Sequence, residues 1–228
     1  IKLFNSSLKD IDLTKSIGAG SIKLNINTKL ENIKMNAKDL LDLYNNNNFP
    51  NSYSEQENPF FNIINKGVSL DDQPLSTQDL SALIEFGHTN FEGANLSEQN
   101  LSCLSLEEKN FKSAKFCNSI LFNSSFINCY LDNANFENAI LNGVKLSGLS
   151  SDKIILDYAN LNYFLFEAVT LQNSSFRSVN LRNSALLDSE FINCNFNESS
   201  LYGSILTTSS FYKSSFKKSN LNYSNLKG

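Results

Sequence analysis

Tryptophan is absent from the 228 residues, histidine occurs once, proline three times and cysteine four times. Each scarcity closes off a class of chemistry. A Ser/His/Asp or Cys/His relay would have to be assembled around His88 alone, so a capping or surface role is expected for it. Cys103, Cys117, Cys129 and Cys194 show no CxxC spacing and no histidine partners, and are too few for a disulfide framework; reduced thiols without a zinc site are expected. No stretch approaches 18 consecutive apolar residues, so no membrane-spanning helix is expected. A net charge of −4 leaves no basic balance to attract nucleic acid or anionic lipid. Asp132, Glu137, Asp152, Asp157 and Glu167 are scattered rather than paired, and no phosphate loop occurs, so no catalytic, metal-binding or cofactor-binding residue is assigned. The chain opens on Ile rather than Met, with no positively charged stretch leading into an apolar one; a trimmed or processed fragment without a signal peptide is the expectation.

What the chain has is a period. Counting in fives from Phe91 to Leu226 lands on Leu or Phe at 27 of 28 stops, Ser151 being the exception. Neither a helix nor a plain strand repeats every five residues, so another geometry must be placing these side chains inside. Two positions before the centre stands a small residue: Ala94, Ala114, Ser119, Ser124, Ala134, Ser184 and Ser204 among many, with Cys129 and Cys194 in the same place. Units such as Ala94-Asn95-Leu96-Ser97-Glu98 and Ala134-Asn135-Phe136-Glu137-Asn138 closely resemble the pentapeptide-repeat family, whose motif is A(D/N)LXX. The resemblance implies an all-β fold, a right-handed quadrilateral β-helix with four units and 20 residues per coil.

Reading every twentieth residue tests that implication. One column is Leu101, Leu121, Leu141, Leu161, Leu181, Leu201 and Leu221; another, from Leu96 to Phe216, is dominated by Phe. About seven coils at a rise of ~4.8 Å give a rod of roughly 34 Å. Leu149 and Ile154 stand where small residues belong, beside the failed centre Ser151, and predict a bulge or small loop there; Phe164, also large at a small position, predicts a local distortion. The Asn residues before the centres, such as Asn100, Asn135 and Asn160, are read as turn formers rather than a binding strip.

Ahead of the repeats, residues 1–75 read as an irregular region. Leu3, Leu8 and Leu13, and Leu30, Met35 and Leu40, suggest degenerate coils, Ser21 to Thr28 a short strand, and Asn45 to Asn58 an exposed loop. Residues 76–88 read as a capping helix: Ser76 and Asp79 match a capping box, Leu80, Leu83 and Ile84 form an apolar stripe, and Gly87 supplies a stop. Residues 89–228 are the β-helix.

Function then has to reside on the surface. Phe122, Tyr163, Tyr202 and Tyr223 map to the outside of the all-Leu side, with Leu165 and Ile205 on the next, and are taken as a possible interaction surface for a protein partner. The expected role is a non-catalytic interaction scaffold. Resemblance of the segment Leu75 to Asn110 to repeat-bearing effectors of bacterial pathogens implies action on host proteins, in the bacterial cytoplasm or translocated into host cytosol. Related β-helices that precede a HECT-like ubiquitin ligase region imply a substrate-recruiting alternative. The quinolone-resistance branch implies another, gyrase protection by DNA mimicry, although residues 89–228 carry 11 Lys and Arg against 12 Asp and Glu. The last unit, Ser224 to Gly228, is still in phase, which suggests an end-to-end homodimer or a following domain at the C-terminal coil.

Overall fold

The computed structural model describes residues 2–3, 7–13, 23–24, 29–46 and 68–227. The chain divides into two compact units, Ile1–Asn95 and Leu96–Gly228.

Among the described residues, the first unit carries strands β1 (Lys2–Leu3), β2 (Ser7–Asp12), β3 (Lys23–Leu24), β4 (Lys29–Lys34) and β5 (Val68–Ser69), with helices α1 (Ala37–Asn46) and α2 (Thr77–Glu85). All of its strand pairs are parallel: β1 with β3, and β4 between β2 and β5, with Leu8 opposite Leu30 and Ile33 opposite Val68. Of the strand expected over Ser21 to Thr28, Lys23–Leu24 is present and the rest lies outside the described residues. Of the loop expected over Asn45 to Asn58, Asn45 and Asn46 are instead the last residues of α1, and residues 47–58 lie outside the described residues. Leu40 is not a coil centre, because α1 occupies that stretch. Asn36 caps it, its Oδ1 accepting the Asp39 amide at 2.8 Å while its Nδ2 donates to the Asp39 carboxylate at 2.8 Å.

Helix α2 has the expected reciprocal cap between Ser76 and Asp79. It ends in a Schellman motif: Gly87 at φ 82° donates to the Ile84 carbonyl, and the His88 amide donates to that of Leu83, both at 2.8 Å. His88 is fully buried rather than on the surface, its Nε2 2.7 Å from the Asn90 carbonyl and its ring edge-on to Phe91. Parallel pairing is already present at residues 72–75, where the Asp72 amide donates to Gly93 and that of Leu75 to Asn95, both at 2.9 Å.

The second unit is a parallel β-helix. Strands β6 (Ser105–Glu107), β7 (Ser125–Ile127), β8 (Lys145–Ser147), β10 (Leu165–Glu167) and β12 (Ala185–Leu187) stack on one side, and β9 (Ser150–Asp152), β11 (Thr170–Gln172) and β13 (Glu190–Ile192) on another. Every register joins a residue to the one twenty further on, such as Leu106 to Phe126 and Leu171 to Phe191. The remaining sides carry single bridges on the same spacing, such as Asn100 to Ile120 and Lys115 to Asn135. The corners turn through a left-handed residue every five positions, for example Ser113, Asn118, Asn123, Asn128 and Asn133.

Columns predicted from the sequence fill the interior. Leu101, Leu121, Leu141, Leu161, Leu181 and Leu201 are buried, and the Phe column stacks ring on ring, Phe116 on Phe136 at 4.5 Å and Phe176 on Phe196 at 4.4 Å. An apolar gap beside Phe136, Val144, Ile154 and Phe164 measures ≈ 10 Å³, at the lower limit for one water. The small position is more than a gap-filler. Ser184 Oγ donates to the Leu161 carbonyl at 2.6 Å and accepts the Phe164 amide at 3.1 Å, tying two coils together inside the core. Cys129 and Cys194 point their thiols at the Leu106 and Leu171 carbonyls in the same way.

The bulge expected at Ser151 is not there. Ser150, Ser151 and Asp152 pair with Thr170, Leu171 and Gln172 in unbroken register, and Ser151 Oγ accepts the Leu131 amide at 3.3 Å. Leu149, Ile154 and Phe164 are all buried in the same coil, so volume given up at the centre is returned at neighbouring small positions. Phe164 likewise leaves the pairing of β10 with β8 and β12 intact.

Candidate interaction face

Among the described residues, no group of three or more His, Cys, Asp or Glu is arranged to hold a metal ion, and no helix is long and apolar enough to cross a membrane. All four cysteines are free; burial pushes the Cys129 and Cys194 thiols up to about 11, which leaves them protonated and unreactive near neutrality. A surface depression of ≈ 200 Å³ in the first unit is lined by Asp10, Ile11, Asp12 and Lys34, and Lys34 is ion-paired to Asp71 at 2.9 Å.

The outside of the all-Leu side differs from the rest of the second unit. Phe122 is 49% exposed, Tyr163 66%, Tyr202 38% and Tyr223 83%. They sit on one corner of the coil, where the Cys103, Tyr163 and Asn183 amides donate to the Phe122, Arg182 and Tyr202 carbonyls at 2.9, 3.1 and 3.0 Å. Tyr202 and Tyr223 are ring neighbours at 5.1 Å, and the Arg182 guanidinium lies 5.6 Å above the Tyr202 ring. Ile120 and Ile140, bridged to each other and both exposed, extend the apolar surface across the same side. Ile205 is exposed on the next side, bridged to Ala185 in β12, whereas Leu165 in β10 is half-buried; neither belongs to the aromatic corner.

Charge sorts the sides further. Arg182 is the lone charged residue among the outward positions of the all-Leu side from Asn100 to Tyr223. The other sides carry ion pairs, Lys112 with Asp132 at 3.1 Å, Lys145 with Glu167 at 2.6 Å and Arg177 with Glu198 at 3.8 Å. Exposed tyrosines occur there too: Tyr130 and Tyr212 lie beneath Lys112 and Lys213, and Tyr158 is half exposed.

Sequence reading missed one property of this side. Asn142 Oδ1, Asn162 Oδ1, Asn180 Oδ1 and Ser200 Oγ are buried atoms with no hydrogen-bond partner. Elsewhere the Asn residues behave as the turn formers expected of them: Asn100, Asn135 and Asn195 accept the amides of Ser102, Glu137 and Asn197 at 3.2, 2.9 and 3.0 Å.

The profile of the pentapeptide repeat region matches residues 119–190, and that of pentapeptide repeats in 8 copies matches residues 189–228. The repeat region belongs to the pentapeptide-repeat family. Among solved pentapeptide-repeat folds, a trypsin-treated form of QnrB1, a plasmid-mediated fluoroquinolone resistance protein, has a TM-score of 0.50 at 14% identity, covering 100% of this chain and 83% of that one. Rfr23, a pentapeptide repeat protein of the cyanobacterium Cyanothece 51142, has a TM-score of 0.36 at 18% identity over 57% of this chain and 87% of its own. HetL, involved in heterocyst differentiation regulation in the cyanobacterium Nostoc, has a TM-score of 0.26 at 16% identity over 97% of this chain and 87% of its own. No curated protein matches the chain. At such identities the likeness to QnrB1 shows the fold alone.

Proposed function

We propose that the chain is a non-catalytic scaffold for protein interaction, and that the aromatic corner and charge-poor outside of the all-Leu side form its docking face. The single observation that carries this reading is the segregation of charge. Interface cores are depleted of charged residues and enriched in Tyr, Phe and Arg, and adaptable paratopes are built from Tyr, Ser, Gly and Asn; this face has that composition, with Arg182 its lone charge. The parallel ladder beneath it fixes the backbone that carries the aromatic residues, so that only side chains have to be ordered at binding. Leu165 and Ile205, on the next side, extend the apolar rim.

Resemblance of the segment Leu75 to Asn110 to repeat-bearing bacterial effectors supports a host protein as the partner, and the ligase setting would add recruitment of that protein as a substrate. Gyrase protection by DNA mimicry is less well supported, because a phosphate mimic needs a dense acidic face and the carboxylates of Asp132, Glu167 and Glu198 are each ion-paired. The test is affinity capture from host cytosol with the parent chain and with a Phe122→Ser, Tyr163→Ser, Tyr202→Ser variant of matched thermal stability. Partners lost by the variant support the face; an unchanged set of partners discards it.

A further inference from the structure

We infer that this face pairs with the same face of a second copy, antiparallel, about a two-fold axis through the coil that carries Asn162 and Tyr163. The inference rests on the interaction reading above: the face that takes another protein is covered by a second copy when that protein is absent. An isologous contact needs a patch complementary to itself. Turning one copy about an axis that lies in the face and crosses the coil axis at Asn162 keeps each column over its own counterpart and reverses its order. The column Phe122, Asn142, Asn162, Arg182, Tyr202, in steps of one coil, then becomes its own complement.

Phe122 meets Tyr202 of the second copy, two aromatic rings that are both exposed in the single chain. Asn142 meets Arg182 of the second copy, which sets a neutral amide side chain, not a like charge, opposite the one charged residue of the face. Arg182 is held on the face by its position 5.6 Å above the Tyr202 ring. Tyr163, the more exposed of the two residues at the axis, meets itself. No like charges are brought together, because the nearest charge to the axis is one coil away and faces an amide. At about 200 Å² per aromatic side chain, Phe122, Tyr163, Tyr202 and Tyr223 expose on the order of 450 Å², more than half of the ~800 Å² that each partner brings to a standard interface.

Sedimentation equilibrium of the whole chain from about 1 to 300 μM tests the pairing, a range that brackets a weak interface of this size. Two substitutions with the same change in net charge have opposite expected effects. Asn142→Asp sets a carboxylate against Arg182 of the second copy twice per dimer and tightens association by roughly three- to tenfold; Asn162→Asp sets two carboxylates across the axis and weakens it by a similar factor. Arg182→Gln, at an exposed position, weakens the dimer as well and serves should either Asn variant fail to fold. Shifts of Asn142→Asp and Asn162→Asp in the same direction, a monomer throughout the range, or a dimer indifferent to all three variants, as an end-to-end contact would give, overturns the inference. A monomer whose serine variant still loses a captured protein overturns the pairing alone and leaves the docking face standing.

Discussion

Asn183 and Gly203 occupy the same corner of consecutive coils, and Asn183 Oδ1 stands 2.6 Å from where a Cβ on Gly203 would be. Gly203 has φ 69° and Asn183 φ 56°, so both turn through the left-handed region. Gly203→Ala is expected to lose about 1–2 kcal/mol to the backbone conformation, and more to the contact with Asn183. Asn183→Ala removes the obstructing oxygen, so the double variant should lose less than the two single variants together. Urea unfolding of all four proteins measures this coupling, and strict additivity would refute the contact.

Ser184 shows why serine rather than alanine fills so many small positions. Its hydroxyl bridges the Leu161 carbonyl and the Phe164 amide in the preceding coil, and the residue is buried. Ser184→Ala keeps the size and leaves those two backbone groups to a single longer bond of 3.2 Å between them. A loss of about 1 kcal/mol is expected, measured as a lower urea midpoint at unchanged slope. No loss would mean that size alone selects the residue.

Ser151→Leu would complete the sequence repeat, yet it is expected to destabilise. The Leu131 amide loses its acceptor in Ser151, and the new side chain enters a coil already filled by Leu149, Ile154 and Phe164. Overpacking of this kind costs about 1–3 kcal/mol. Leu149→Ala in the same chain should recover part of it. Thermal unfolding of the single and double variants decides between volume compensation and mere tolerance of a polar centre.

Ser151 also marks how far the sequence could be read. Coil length, stacked columns and the cap of α2 were legible because each is a repeating or local pattern: Leu121 over Leu101 follows from a period, and Ser76 with Asp79 from a spacing of three. The exchange of large and small side chains around Ser151 was not, because volume is summed over a coil and the pattern is read one position at a time. In α1, Leu40 falls five residues after Met35, and that coincidence hid the Asn36 cap from a reading tuned to fives. Phe122, Tyr163 and Tyr202 could be placed on one side from their numbers. The unpartnered oxygens of Asn142, Asn162 and Asn180 depend on side-chain rotamers and needed the structure.

Cys129 and Cys194 should give the protein an alkaline liability. An unfolded thiol titrates near ~8.5. Burial holds the folded thiols up to about 11. Between those values the unfolded chain binds fewer protons than the folded one, so stability falls as pH rises through that window and is unaffected by these groups below it. Cys129→Ser with Cys194→Ser replaces them by the residue that fills the equivalent position at Ser184 and Ser204, and removes the titration. Urea midpoints at pH 8 and pH 10 should converge for the serine variant more closely than for the parent. In the folded parent at pH 8, a thiol reagent should modify the exposed Cys103 first, then half-buried Cys117, and leave Cys129 and Cys194 untouched until the coils open. Rapid modification of all four would show that the coils around Leu106 and Leu171 open far more readily than their packing allows.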